Sequence, residues 1–323
     1  MNDENFSKNK VEQIEDTLIK LKELGVLETE IVKRYEDKIL SLKNNELSYF
    51  FAKNIEGADV NAHGNVIIES KDLEYNFKFV TDIKGADQKA HGRVIIDSKD
   101  LEYNYKFVMC VTEADVKAHG KVIIDSKDLE YNYYFAVLPG ADVKAHEQII
   151  IDSKNLKFNL DFAKNVEGAD QKAHGRVIID SKNLEYNYKF ARDVRNADIK
   201  EHEKIILDSK SLHYNLIFAR DVKGADVKAH GKIILDSKDL KFNFLFARDI
   251  GRSDFKAHEQ IILDSEDLAH NLLFLDLEKS DKNAHKRVIN KPVITYDCNF
   301  LDNALDEMIK ENNEENKSMQ KKS

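Results

Sequence analysis

Nine histidines recur along the chain at near-constant spacing: His63, His91, His119, His146, His174, His202, His230, His258 and His285. Imidazole is a frequent metal ligand and a general base near neutral pH, so the row raises metal binding and acid–base catalysis. Ser70, Ser98, Ser126, Ser153, Ser181, Ser209, Ser237 and Ser265 form a second row. Asp59, Asp87, Asp115, Asp142, Asp170, Asp198, Asp226, Asp254 and Asp281 form a third, each four residues ahead of a histidine. Nucleophilic catalysis needs one nucleophile and one base, placed once. Here the same three residue types return in every copy, which is the mark of a repeat, and no catalytic residue is assigned. Metal binding fares no better. Stacked helical repeats lie ~8–10 Å apart, whereas two imidazoles sharing a zinc ion must each reach it at ~2.1 Å. No His-x-x-x-His pair or His/Cys cluster occurs within a copy. Neither a metal nor a cofactor is expected.

The rows belong to a unit, seen clearly at 224–250 as GADVKAHGKIILDSKDLKFNFLFARDI, which returns every 28 residues with two 27-residue exceptions. Such an internal period decides the fold. Two readings of the unit compete. Leu184, Tyr186, Tyr188 and Phe190 alternate with Glu185, Asn187 and Lys189, and Val177-Ile178-Ile179 is β-branched, which suits a β-hairpin array. At ~100° per residue, however, Leu184, Tyr188, Ala191, Val194, Asn187, Phe190 and Tyr186 fill one arc, and Glu185, Lys189, Arg192 and Asp193 fill the other. Val177, Ser181, His174, Ile178, Gln171, Gly175 and Ile179 do the same in the first half of the unit. The residue before the second segment is Asp72, Asp100, Asp128, Asn155, Asn183, Ser211, Asp239 or Asp267, which drifts only among good N-caps. The opening aspartates suit a helix N-terminus, and Gly57, Gly85, Gly140, Gly168 and Gly224 suit a C′ position. The unit is therefore expected to be two short helices, and the chain an all-α solenoid of about eight to nine such repeats, with the β-hairpin array as the alternative.

Three regions follow. Residues 1–56 are an N-terminal lead-in and cap, with helices over Val11–Leu24, stopped by Gly25, and Glu28–Leu42, then a degenerate half-unit in which Phe51 falls 28 residues before Phe79. Residues 57–290 carry the copies. Residues 291–323 are a closing segment, with a capping helix expected over Cys298–Ile309 and a polar, disordered tail.

The array resembles the short helical-hairpin solenoids of the TPR and HEAT class, although its period is shorter and the TPR Trp-Leu-Gly-Tyr pattern is missing. The segment FARDVKGAD at 218–226 looks like one found in uncharacterised repeat proteins of bacteria and their phages. The resemblance implies a fold and a general interaction role, and carries over no catalytic residue.

Composition narrows the partners. Fifty Lys plus Arg stand against 59 Asp plus Glu, a net charge of −9, which makes nucleic acid an unlikely partner. The two cysteines, Cys110 and Cys298, are too few for a disulfide framework. The N-terminus MNDENFSKNK has no apolar signal-peptide core, and no apolar run reaches the ~20 residues of a membrane helix. A cytoplasmic, non-membrane location is expected.

Two sets of residues emerge. His174 and Asn187 fall inside apolar arcs, so they must find polar partners when buried. A structural ladder is expected from His174, Asn187, Ser181, His202, Asn215, His230 and Asn243, with each copy satisfying its own or its neighbour's groups and so fixing the register between copies. The second set is a contact face. One position in the polar arc of the second helix reads Lys78, Lys106, Tyr134, Asp161, Lys189, Ile217, Leu245, Leu273. Its last three members would form an apolar strip edged by Arg192, Arg220, Arg248, His213 and Lys241, a mark of partner binding. The expected function is a non-enzymatic scaffold that binds a protein or peptide. A nucleic-acid-associated repeat protein, or a structural array without a dedicated partner, is the alternative.

Overall fold

The computed structural model of the chain describes residues 2–290 and Leu305, with side chains from residue 9. It divides into two compact units, 1–169 and 170–323. Every regular element among the described residues is an α-helix, so the β-hairpin alternative falls. Period 2 within Leu184–Phe190 came from aromatic residues that share a broad helical arc, and the caps decide between the two readings.

In the first unit, α1 (Asn2–Glu23), α2 (Thr29–Leu42) and α3 (Asn45–Asn54) form the lead-in. Helix pairs follow: α4 (Val60–Ser70) with α5 (Leu73–Asp82), α6 (Gln88–Ser98) with α7 (Leu101–Cys110), α8 (Val116–Ser126) with α9 (Leu129–Ala136), and α10 (Val143–Ser153) with α11 (Leu156–Asn165). In the second unit the pairs are α12 (Gln171–Ser181) with α13 (Leu184–Asp193), α14 (Ile199–Ser209) with α15 (Leu212–Asp221), α16 (Val227–Ser237) with α17 (Leu240–Asp249), and α18 (Phe255–Ser265) with α19 (Leu268–Leu275). The single helix α20 (Lys282–Ile289) follows. Cys298–Ile309 and the rest of 291–323 lie outside the described residues, apart from Leu305.

Helices of 8 to 11 residues are marginal on their own. Within each unit they are held by burial against their partner and by packing on the next copy, as in α5 on α6 and α15 on α16. The core repeats with the chain. One isoleucine of each first helix (Ile67 through Ile262) and one phenylalanine of each second helix (Phe79 through Phe274) is at most 1% exposed.

The turns are built from the same few residues. Asp59 caps α4 by accepting from the Ala62 N–H at 3.0 Å. At the other end Ser70 Oγ donates to the Ile67 carbonyl at 2.7 Å and accepts from the Asp72 N–H at 3.2 Å. Between them Lys71 is left-handed, φ 58°, and its N–H reaches the Ile68 carbonyl. Asp72 then caps α5 through the Tyr75 N–H at 3.0 Å. Ser211 alone among the second-helix caps of complete copies makes no side-chain capping bond. The recurrent glycines are not C′ residues. Ile55 is the C-cap of α3, and Gly57 lies two residues on, in a turn closed by Ala58 N–H to Ile55 carbonyl at 3.3 Å, where φ is 82°.

The two 27-residue copies are explained by α9 and α19, which have 8 residues where the other second helices have 10. The lost residue is absorbed at the end of the second helix.

A different glycine row sits inside the first helices, after the histidine. A Cβ on Gly120 would come within 2.9 Å of Phe135 Cε1, so Gly120→Ala should destabilise by about 1–3 kcal/mol through overpacking. Chemical denaturation reads it, and a neutral result would show that the Phe135 ring can move aside.

Candidate functional site

The polar residues of the core make one recurring arrangement between copies. Asn187 Nδ2 donates to the Ile178 carbonyl at 3.0 Å and to the Asn183 carbonyl at 2.8 Å. Its Oδ1 lies 2.8 Å from Nδ1 of His202, in the next copy. Ser181 Oγ donates to the same Ile178 carbonyl, at 2.6 Å, so serine and asparagine meet at one backbone oxygen. Asn215 with His230 and Asn243 with His258 repeat the bond at 2.7 Å, and in the first unit Asn76 with His91 does so too. In the shortened copies the pairs Asn132–His146 and Asn271–His285 are 14 residues apart instead of 15, yet the distances are 2.8 and 2.7 Å. Thus Asn187 reaches forward to His202, and His174 of its own copy is a different rung. In these pairs the imidazole also lies against a phenylalanine, as His202 does on Phe190 with centroids 4.8 Å apart.

Burial governs the charge of these rings. His63, His91, His119, His146, His174, His202 and His258 are held down to about 4 by desolvation, with the nearby capping aspartate pulling weakly the other way. They are neutral at pH 7. The Nε2 atoms of His91, His119, His146, His202 and His258 face the glycine that follows the histidine of the preceding copy. A Cβ on Gly64 would be 3.3 Å from His91 Nε2, and one on Gly175 would be 3.5 Å from His202 Nε2. Where that residue is glutamate, a carboxylate takes the place. Glu203 Oε1 lies 3.1 Å from His230 Nε2, and Glu259 Oε1 lies 3.4 Å from His285 Nε2. Both glutamates are buried. The sequence signal, glutamate alternating with glycine after the histidine, reads as surface drift until the fold shows where it points. Among the described residues no group of three or more His, Cys, Asp or Glu is placed to hold a metal ion.

The outer face of the second helices is different in kind. Lys78, Lys106 and Lys189 each pair with a glutamate four residues earlier: Glu74, Glu102 and Glu185. In the copies that carry Ile217, Leu245 and Leu273, those earlier positions hold His213, Lys241 and Ala269. Both members of the ion pair have changed together. The three aliphatic residues are half-buried, with one edge packed on the core clusters of Phe218, Phe246 and Phe274. The expected edge of bare cations is altered. Arg192, Arg220 and Arg248 are exposed, and each Nε donates to the following aspartate, Asp193, Asp221 and Asp249, at 2.6–2.7 Å. Arg192 also lies over the Tyr188 ring and Arg248 over Phe244. His213 is exposed beside Tyr214, and Lys241 is exposed.

Two surfaces escaped the sequence reading. In the first unit Met109 is 56%, Tyr134 41% and Val137 53% exposed, on or just after α7 and α9. A largely apolar groove of about 450 Å³ runs between α1 and α2, lined by Ile14, Leu18, Leu21, Tyr35, Ile39 and Leu42. The stripe Ile14, Leu18, Leu21 at helical spacing was its signal.

No protein-family model, curated protein or solved structure matches the chain.

Proposed function

We propose that this helical solenoid is a non-enzymatic scaffold that binds a protein or peptide along the outer face of its second helices. One observation carries the reading. Within the described repeats, the exposed large hydrophobics are Met109, Tyr134, Val137 and Leu272, and all lie on or at the end of a second helix. The first helices turn charge outward instead, as with Lys117, Lys121 and Asp125 of α8. In the second unit an apolar strip bordered by Arg–Asp pairs offers hydrophobic burial with a polar rim. Ile217, Leu245 and Leu273 form the contact strip in the second unit, with Arg192, Arg220, Arg248, His213 and Lys241 around it. The TPR and HEAT proteins that the sequence resembles use such helix faces for interaction, which accords with a cytoplasmic adaptor.

The test is the triple variant Ile217→Lys, Leu245→Lys, Leu273→Lys, which restores the residue of the earlier copies. It should keep the helical circular-dichroism spectrum and the melting temperature, and lose the proteins captured by the wild-type chain. A variant that unfolds shows the strip to be core. One that folds and captures the same proteins removes the strip from the binding site.

A further inference from the structure

Two rungs of the second unit hold a buried carboxylate against a histidine whose tautomer is already fixed. Asn215 is oriented by its amide, since Nδ2 donates to the Ile206 carbonyl at 3.2 Å and the Ser211 carbonyl at 2.8 Å. Oδ1 is therefore the atom that meets His230 Nδ1 at 2.7 Å, and Nδ1 must carry hydrogen to donate. A neutral ring in that tautomer leaves a lone pair on Nε2. Facing it at 3.1 Å is Glu203 Oε1, which accepts from the Asp226 N–H at 2.6 Å. His285 repeats this. Asn271 Nδ2 donates to Ile262 and Asp267 carbonyls at 3.1 and 2.7 Å, Oδ1 meets His285 Nδ1 at 2.7 Å, and Nε2 faces Glu259 Oε1 at 3.4 Å. Two acceptors 3.1 Å apart in a dry core repel unless a hydrogen lies between them, and the 3.4 Å pair is the same arrangement held more loosely.

We propose that Glu203/His230 and Glu259/His285 are buried proton-holding pairs, each retaining one exchangeable proton between the carboxylate and Nε2, so that losing it at alkaline pH loosens the junction between copies.

The other rungs show what the asparagine and the glutamate each contribute. His202 and His258 have the fixed Nδ1–H, but Nε2 faces Gly175 and Gly231, so no extra proton is needed. His63 has a glutamate, Glu36 Oε1 at 3.3 Å from Nε2, but Ser48 stands where the asparagine would be and makes no bond to it. Its single ring hydrogen is free to sit on Nε2.

The charges around each pair are few. His230 feels Glu203 from α14 and Asp226 at the head of α16, while α15 presents the neutral Asn215 and the Phe218 ring. On the α17 and α18 side, Phe246 and His258 approach the adjacent Gly231. Burial disfavours charge on the His230 ring and the Glu203 carboxylate favours it; the two titrate as one unit, and it is the facing of two acceptors that places a proton between them. At Glu259, Lys256 Nζ donates to Oε2 at 2.7 Å, Asp281 heads α20, and α19 presents Asn271 and Phe274.

The direction follows from counting protons. Above about pH 6.5 a free histidine and a free glutamate hold none, whereas the folded pair holds one. Stability then falls as pH rises, tenfold per pH unit in the folded-to-unfolded ratio for each pair, until the pair releases its proton. Between about pH 4.3 and 6.5 both states hold one, and the slope vanishes.

Imidazole ¹⁵N and carboxyl ¹³C NMR of the full chain at pH 7.5 tests this. His202 and His258 should show a bare Nε2. His230 and His285 should show a protonated Nε2, or a bare Nε2 facing a protonated Glu203 or Glu259. A bare Nε2 beside an ionised carboxylate in both pairs overturns the proposal. The double variant Glu203→Gly, Glu259→Gly copies the sibling repeats, which fold with glycine there. Its urea midpoint should lose the fall that the wild type shows from pH 7 to 9, and an unchanged fall also overturns the proposal.

Discussion

Taken from pH 7 to pH 5, the protein should lose stability steeply, with the rungs that face glycine failing first. In the folded chain His91, His119, His146, His202 and His258 are held at about 4 by burial. In the unfolded chain they return to about 6.5. A histidine whose folded value is depressed favours the folded state fully above 6.5 and loses that contribution as pH falls toward 4. Between pH 6.5 and 5 the loss is roughly 2 kcal/mol per rung. Several rungs act in each unit, so urea midpoints at pH 7, 6 and 5 should fall markedly, and hydrogen exchange should show the opening spread from these junctions. A midpoint that stays level over this range would mean that the rings protonate without cost, and that their burial has been misread.

The second large effect is expected from Asn187→Leu. Leucine fills a similar volume but strands the His202 Nδ1–H and removes both donors to the Ile178 and Asn183 carbonyls. An unsatisfied buried donor costs about 1–3 kcal/mol and each lost bond about 1 kcal/mol, so a total of about 3–4 kcal/mol is expected. Adding His202→Leu should recover part of it, because the stranded donor is gone, whereas adding His174→Leu should make matters worse. Chemical denaturation of the single and both double variants decides the pairing. Recovery with His174→Leu instead of His202→Leu would place the bond inside one copy.

Much of this fold was legible because its signals agree. The arcs of Leu184–Val194 and the drift of Asp72, Asp100 and Asn155 among capping residues both describe a helix hairpin. The ends of the first helices were not legible. Lys71 and its equivalents adopt a left-handed φ without being glycine or asparagine, so nothing in the residue type announces the turn. Which histidine meets Asn187 could not be read either, since spacing allows a partner in the same copy or the next, and only packing chooses. The carboxylates of Glu203 and Glu259 looked like surface variation because a side chain that reaches into the following copy leaves no trace in its own helical arc. The strip Ile217, Leu245, Leu273 was visible as a change of residue type, but its half-burial depends on how closely adjacent second helices sit.

Each rung is half in one copy and half in the next, and this has a consequence for inheritance. The asparagine of any copy finds the same histidine whichever copy follows. Excising residues 188–215 would bring His230 to the place of His202, fifteen positions beyond Asn187. No polar group would be orphaned, and the glycine that His202 now faces, Gly175, would receive the new ring. A gene built of near-identical blocks is prone to gain and lose them by unequal recombination. Because the copies within a unit share the same asparagine–histidine bond, gain or loss of a whole copy there keeps that bond intact, and the number of copies can change while the polar core stays satisfied.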